Sequence, residues 1–312
     1  MCFGFNASAA LNKSLEQKGV DRRGFLRGAA ALGLGAGLAT VGGAAAFAAP
    51  GGGAGKPVPP GLISIQLYTL RSIMNGEGVD ATLASLADYG YQKVELAGLY
   101  GRTAESMRST LDALGIRPSS SHDGISRDSA SLEGKIANAL TLGQTHMNVP
   151  YLVSSNGDDW RRWADEMNAE AAVAQAAGLK YGYHNHAHEF TTDVGGGVTP
   201  WDIFTERLDP SLVHFEIDLY WAVTGGVGVG AADPVQFAID TILQSPQKVL
   251  QYHVKDRDAS GDFADLGTGT IDFARIFAAH RPKEFIVEND RPDVTPLQTA
   301  EVGFNYLRNL RF

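Results

Sequence analysis

The chain has 312 residues, of which 44% are hydrophobic and 20% charged, an ordinary composition for a globular protein with one large core. Its net charge at pH 7 is −9; residues 1–48 alone carry +3, so the remainder carries −12. So acidic a chain argues against nucleic acid as a partner. The only cysteine is Cys2, which excludes disulfides, thiolate catalysis and cysteine-bound zinc from residues 49–312.

Residues 1–48 resemble a bacterial twin-arginine export signal. Arg22 and Arg23 precede a weakly apolar run that ends at Ala46-Phe47-Ala48, a small-x-small cleavage pattern. The alternative is a retained membrane anchor, but the run is mostly Ala and Gly, and Pro and Gly follow it directly. We therefore expect residues 1–48 to be removed on export to the periplasm, which leaves no stable membrane anchor. Residues 49–60 are rich in Gly and Pro and are expected to form a flexible linker.

From residue 61 to residue 312, eight short apolar runs alternate with longer segments. A short apolar run bounded by turn residues is typical of a buried strand in a parallel sheet. The predicted strands are Leu62–Leu67, Lys93–Leu96, Arg117–Ser121, Thr145–Pro150, Lys180–Asn185, Val213–Asp218, Val249–Val254 and Glu284–Glu288.

The longer segments carry apolar residues three and four positions apart, which is the spacing of one buried helix face. Eight strand–helix units in about 250 residues predict a single-domain α/β fold, the (β/α)8 or TIM barrel. The alternative is an open doubly wound sheet. That fold usually has a Gly-rich loop after its first strand, and Tyr68-Thr69-Leu70-Arg71 is not such a loop. The predicted helices cover residues 79–89, 103–114, 131–142, 158–177, 200–208, 232–243, 272–279 and 296–308.

In a barrel of this kind, the carboxyl ends of the strands line one common mouth. Asp218, His253 and Glu288 each close or follow an apolar strand at that end, and His184 or Glu189 could add a ligand from the fifth strand. Mixed imidazole and carboxylate ligands suit one divalent ion, which could be Mn, Co, Mg, Zn or Fe. Five of the eight histidines fall at these strand ends, namely His122, His184, His186, His188 and His253.

Six short motifs occur in order along the predicted strands, and together they resemble the sugar phosphate isomerase/epimerase family, the xylose isomerase-like barrels. The resemblance covers nearly all of residues 61–312. It implies a divalent metal at the barrel mouth, held by Glu, Asp, His and Glu from strands five to eight, and Asp218, His253 and Glu288 match the last three. The motifs are Gln66-Leu67-Tyr68-Thr69-Leu70-Arg71, Val94-Glu95-Leu96, Tyr183-His184-Asn185-His186, Glu216-Ile217-Asp218 with Tyr220-Trp221, His253-Val254-Lys255-Asp256 and Val287-Glu288-Asn289.

The fifth strand departs from the family pattern. His184 stands where the family often has its glutamate, and Glu189 lies five residues later. We favour Glu189 as ligand or base, with His184 and His186 orienting the substrate, and keep His184 as the alternative ligand. A neutral imidazole binds metal only after it has lost its proton, so the two ligands differ in their response to pH.

The expected function is metal-dependent proton abstraction next to the carbonyl of a sugar or keto-sugar, leading to isomerisation, epimerisation or elimination. The predicted base is Glu288 or Glu189, and the predicted proton-returning or oxyanion group is His186 or Lys255. The residues expected to contact the substrate are Tyr68, Glu95, His122 and Trp221.

The sequence leaves three alternative functions to consider besides an isomerase or epimerase, and it provides evidence against two of them. The resemblance also allows a lyase or hydrolase that cleaves 3-keto-glycosides. A second alternative is a carbohydrate-binding barrel without catalysis, although the apparent ligands and Lys255 speak against it. A phosphodiester-cleaving barrel of the endonuclease IV type is opposed by the charge of −12. The expected partner is a small carbohydrate, and a homo-oligomer is left open.

Overall fold

The computed structural model describes residues 55–76, 78–292 and 294–312. The predicted export signal and the first half of the predicted linker, residues 49–54, lie outside these residues. Residues Pro57–Leu310 form one compact unit, and Val58, near its start, is already fully buried. None of the helices in the described part of the chain is both long enough and apolar enough to span a membrane.

Eight parallel strands form the centre of this unit, and four of them have the predicted bounds. The strands are β1 (Ile63–Gln66), β2 (Lys93–Leu96), β3 (Arg117–Ser121), β4 (His146–Val149), β5 (Lys180–His184), β6 (Val213–Asp218), β7 (Val249–Val254) and β8 (Glu284–Val287).

The strands close into a barrel. Their order in the sheet is β3-β2-β1-β8-β7-β6-β5-β4, with every pair parallel. A parallel bridge between His122 and Asn148 joins the two outer strands, and the backbone N–H of Asp123 donates to Asn148 O at 2.9 Å. The predicted TIM barrel is therefore confirmed, and the open doubly wound alternative is wrong.

Helices follow the strands and cover the outside of the barrel. Two of the predicted helix starts have the expected capping chemistry, since Thr199 and Asp233 each accept a backbone N–H of the first turn and each precedes a proline. The helices are α1 (Gly78–Tyr89), α2 (Ala104–Ala113), α3 (Ser129–Leu142), α4 (Gly157–Ala176), α5 (His188–Thr191), α6 (Pro200–Arg207), α7 (Leu219–Gly228), α8 (Pro234–Gln244), α9 (Phe273–Ala279) and α10 (Pro296–Asn309).

Three elements at the barrel mouth were not predicted. Helix α7 begins directly after β6 and contains three glycines, which lower its helix propensity. Gly225 and Gly226 are required there by packing, because an added Cβ would lie 2.6 Å from the Phe190 ring and 3.0 Å from the Phe237 ring. The other two elements are the single turn α5 and a hairpin that pairs Asp256–Arg257 with Phe263–Ala264.

The barrel interior is polar, whereas TIM barrels usually fill it with branched apolar side chains. Asn148 on β4 donates to Gln251 on β7 at 3.0 Å, and Gln251 donates to Ser120 on β3 at 3.1 Å. These hydrogen bonds cross the barrel, so the inward faces of the strands carry amides and hydroxyls. Gly182 on β5 makes room for them, since a Cβ there would lie 2.5 Å from Asn148 Oδ1. The polar interior supports the charged side chains at the mouth from below.

Candidate active site and metal centre

Four buried side chains from consecutive strands converge at the carboxyl end of the barrel. His184, Asp218, His253 and Glu288 come from β5, β6, β7 and the residue after β8, and they offer ligand atoms that all lie within 4.8 Å of one another. All four are buried. The structure thus brings together the three ligands matched to the family and adds His184 as the strand-five member.

Glu189 does not belong to this group. It lies in α5, where Tyr183 Oη donates to its Oε1 at 2.6 Å and the backbone N–H of His186 donates to its Oε2 at 2.8 Å. Both oxygens are therefore engaged in holding the loop after β5. The placement favours His184, the alternative ligand, over Glu189, the residue that the sequence favoured.

Two buried glutamates stand behind the imidazoles. His253 directs Nδ1 toward Glu288 (2.8 Å) and donates from Nε2 to Glu95 at 2.6 Å. His184 has its Nε2 at 3.7 Å from Asp218 Oδ2 and donates from Nδ1 to Glu216 at 3.2 Å. A carboxylate on the far nitrogen of a ligating histidine fixes its tautomer and ring orientation.

Glu95 therefore lies under the predicted metal ligands, not on the wall that would contact substrate. It is fully buried and also accepts hydrogen bonds from Gln66 (2.9 Å) and Ser120 (2.7 Å). Glu216 was not predicted as a site residue. Its signal was present in the sequence, because a residue two positions before Asp218 on a strand faces the same side of the sheet.

A second group of potential ligands overlaps the first. It consists of His122, His184, Glu216 and His253, and it shares two imidazoles with the group at the mouth. His122 donates to Glu216 at 2.8 Å and stacks on the His253 ring at a centroid distance of 5.2 Å. Since Glu216 already orients His184, we assign the metal position to the group at the mouth.

Lys255 places a buried ammonium group among the carboxylates. Its Nζ lies 2.9 Å from Asp218 Oδ2, 2.7 Å from Glu288 Oε2 and 2.9 Å from Asp290 Oδ2, and the residue is 1% exposed. Asp290 was not predicted as a site residue. The ammonium group is also 5.7 Å from the centre of the Trp221 ring, so it is enclosed on its apolar side as well.

Burial and neighbouring charges set the protonation of the ligands. Burial, with help from the charge on His253, lowers the pKa of His184 to about 3, so its imidazole is neutral at pH 7. Burial raises the pKa of Asp218 to about 6 against the opposing effect of Lys255. For His253, burial lowers the pKa, but Glu216 and Glu288 raise it by more, so its pKa lies well above the ordinary value. His253 must lose a proton before it can bind a metal.

Two further histidines, His122 and His186, have pKa values that are shifted in opposite directions. Burial favours the neutral form of His122, but the carboxylates of Glu95 and Glu216 outweigh it and raise its pKa above the ordinary value. Burial first, and then the charges of His184 and Lys255, lower the pKa of His186. The carboxylates around His122 therefore favour its cationic form, whereas the surroundings of His186 favour its neutral form.

A cavity of about 490 Å³ opens above these side chains. Trp221 is not on its wall but packs behind His186, with a ring distance of 5.2 Å. A larger groove of about 640 Å³ lies on the outside between α6 and α8 and contains none of the predicted site residues. The mouth cavity is lined by Tyr68, Ala97, His122, Pro150, Tyr151, His184, His186, Lys255, Glu288 and Asp290.

The donor set fits a divalent ion. It offers two carboxylates and two imidazoles from four rigid strand ends, and each imidazole has a carboxylate partner on its other nitrogen. Asp218 Oδ2 is buried and accepts no hydrogen bond of normal geometry, although Lys255 lies close to it. A divalent ion held here would share this oxygen with the Lys255 ammonium group.

The comparisons with known proteins identify the family of the chain. The family described as "Xylose isomerase-like TIM barrel" matches residues 76–310. The chain belongs to this family. An inosose dehydratase from Geobacillus kaustophilus (strain HTA426) is 26% identical to it, in an alignment that covers 64% of this chain and 74% of the relative.

Solved structures of two other proteins share the fold. A sugar phosphate isomerase/epimerase from Parabacteroides distasonis ATCC 8503 superposes with a TM-score of 0.63 at 24% identity, covering 85% of this chain and 98% of that one. The IolI protein, solved "with a binding zinc atom", superposes with a TM-score of 0.59 at 14% identity, covering 78% and 95%.

Proposed function

We propose that the protein is a divalent-metal-dependent lyase that removes the proton beside the carbonyl of a keto-sugar and expels a group from the next carbon. The observation that carries the proposal is the buried ligand set of His184, Asp218, His253 and Glu288, which opens onto a cavity with His122 and His186 on its walls. Two similar proteins support it, since one is named an inosose dehydratase and another was solved with zinc.

The ligand set and His186 serve the first half of the reaction. A divalent ion held there would withdraw charge from the carbonyl oxygen and so acidify the neighbouring C–H. His186 lines the cavity and its buried Nδ1 has no hydrogen-bond partner, so we assign this nitrogen as the base that accepts that proton. We assign Glu288 to the ligand set instead, because Lys255 and His253 both hold its Oε2.

His122 serves the second half. It lines the same cavity, and the carboxylates of Glu95 and Glu216, at 3.3 and 2.8 Å from its Nε2, favour its protonated form. As the double bond forms between the two carbons, the C–O bond to the leaving group breaks, and the departing oxygen takes its proton from His122. A neutral base and a cationic acid on different side chains suit elimination, because one proton is removed while another is supplied.

The test is hydrogen exchange and elimination measured together. Purified protein loaded with Zn²⁺ is incubated in D₂O with a set of keto-sugars, including 3-keto sugars, and the products are read by proton NMR. We expect loss of the signal beside the carbonyl and appearance of an unsaturated product. Asp218→Asn should abolish both, whereas Asp112→Asn on the surface of α2 should not. Exchange without elimination would refute the lyase assignment, and neither in any keto-sugar would refute the proposal as a whole.

A further inference from the structure

Two tyrosines flank the cavity with unusually exposed rings. Tyr68 is 43% exposed and Tyr151 is 51% exposed, which makes them the most exposed aromatic side chains in the described part of the chain. Both line the mouth cavity. They follow β1 and β4, which are three strands apart in the sheet, so they stand on different sides of the mouth. Exposed aromatic rings at a cavity rim are typical of a binding surface.

Both rings are held in place. The Arg71 guanidinium lies 3.8 Å from the centre of the Tyr68 ring and donates to Tyr68 O (2.7 Å) and Asp290 O (2.6 Å). Tyr151 packs edge-on against His186 at 5.0 Å and His188 at 5.2 Å. A ring that is already ordered loses little entropy when a ligand stacks on it.

The charges around the mouth do not suit a phosphate group. In TIM barrels the loops after the seventh and eighth strands frequently bind phosphate. Here those loops carry carboxylates. Arg291 pairs with Asp262, Lys255 pairs with three carboxylates that include Asp290, and the part-buried Arg257 donates to the backbone of Asp258 at 3.4 Å. Arg71 is held between two backbone carbonyls. An anionic group at the rim would meet carboxylates instead of available cations.

We propose that Tyr68 and Tyr151 form an outer subsite for an uncharged ring that is attached to the keto-sugar in the inner cavity. The substrate class is then a neutral glycoside of a keto-sugar, not a sugar phosphate. This assignment rests on the proposed function, because the ring at the rim is the leaving group whose oxygen takes its proton from His122.

The subsite is tested by calorimetry with the Zn²⁺-loaded protein and three sugars that lack a ketone and so cannot react. The probes are glucose, phenyl glucoside and glucose 6-phosphate. Phenyl glucoside should bind about three- to tenfold more tightly than glucose, the gain expected from one aromatic stacking contact. Glucose 6-phosphate should bind more weakly than glucose. The proposal would be overturned if glucose 6-phosphate bound as tightly as phenyl glucoside or more tightly. It would also be overturned if binding of phenyl glucoside could not be detected.

Variants of Tyr151 test whether the tighter binding of phenyl glucoside comes from the proposed outer subsite. Tyr151→Ala should remove the preference for phenyl glucoside over glucose, whereas Tyr151→Phe should keep it, because stacking needs the ring and not the hydroxyl. Leu140→Ala, an equally exposed side chain on the outside of α3, should leave the preference unchanged. A preference that survives in Tyr151→Ala would overturn the subsite.

The two proposals fail in different ways. If phenyl glucoside binds as expected but no keto-glycoside exchanges or eliminates, the reaction is wrong and the subsite stands. If keto-sugars react but the phosphate ester of a keto-sugar is turned over faster than its phenyl glycoside, the subsite is wrong and the reaction stands.

Discussion

Replacing Lys255 by methionine tests the charge balance of the site. The ammonium group lies within 2.9 Å of Asp218, Glu288 and Asp290 and is almost fully buried. Removing one partner of a buried ion pair typically costs about 3–5 kcal/mol, because the remaining charge is left without compensation. We therefore expect Lys255→Met to lower the free energy of unfolding of the metal-free protein by about 3 kcal/mol at pH 8.

The loss of unfolding free energy in Lys255→Met should depend on pH. Burial raises the pKa of Asp218 to about 6 in the folded protein, above its ordinary value of 3.8. Such a carboxyl contributes stability below pH 3.8 and loses it as the pH rises through about 6. Removing Lys255 takes away a charge that lowers this pKa, so the variant binds a proton at Asp218 even more readily. At pH 5 the deficit should thus shrink by about 1 kcal/mol or more.

Urea unfolding followed by tryptophan fluorescence measures both effects. Zn²⁺ at about 100 times its Kd should stabilise the variant by about 2.7 kcal/mol, provided that it binds the folded state alone. Lys255→Arg keeps the charge and should lose less, and Lys248→Met removes an exposed lysine and should change stability by about 0.5 kcal/mol at most. The reasoning is refuted if Lys255→Met and Lys248→Met unfold at the same urea concentration at both pH 5 and pH 8.

Three further predictions concern the fifth strand, the barrel interior and export. His184→Ala should lose most of its bound Zn²⁺ by elemental analysis, and Glu189→Gln should keep it; the opposite pattern would make Glu189 the ligand. Gly182→Ala should lower the free energy of unfolding in urea by about 1–3 kcal/mol, since its Cβ would crowd the interior amides; an unchanged midpoint would contradict this packing. Replacing Arg22 and Arg23 by lysine should hold the precursor in the cytoplasm on immunoblots, and normal export would disprove the signal.

The barrel could be predicted from the sequence because the strand residues that face the helices are apolar. In β6 and β7 the outward residues pack under the helices, so each strand appears as a short apolar run with sharp ends. Helix α7 gave no such signal. Its three glycines have poor helix propensity, and they are needed to fit Phe190, Phe237 and Thr191 against the helix. Tertiary packing therefore overrode the local preference.

Three of the proposed metal ligands could also be predicted from the sequence. The carboxylates that support the ligand histidines, Glu95 and Glu216, could be predicted only in part. Asp218, His253 and Glu288 lie at strand ends, and position in the barrel is enough to bring strand ends together. Glu95 and His253 are 158 residues apart and come from strands that are not neighbours in the sheet. The contact between Glu95 and His253 depends on the tilt and register of the strands. The pattern of apolar residues along a strand determines neither of these.

The choice between His184 and Glu189 follows from the same supporting groups. Glu216 gives His184 a carboxylate partner for its Nδ1, which leaves Nε2 directed at Asp218. The ligand set then carries two negative charges, which a divalent ion neutralises, and Lys255 keeps Asp290 as its own partner. A glutamate at position 184 would add a third negative charge next to the buried Glu216. A neutral ligand on β5 therefore adds no further negative charge beside Glu95 and Glu216, the carboxylates that support the ligand histidines.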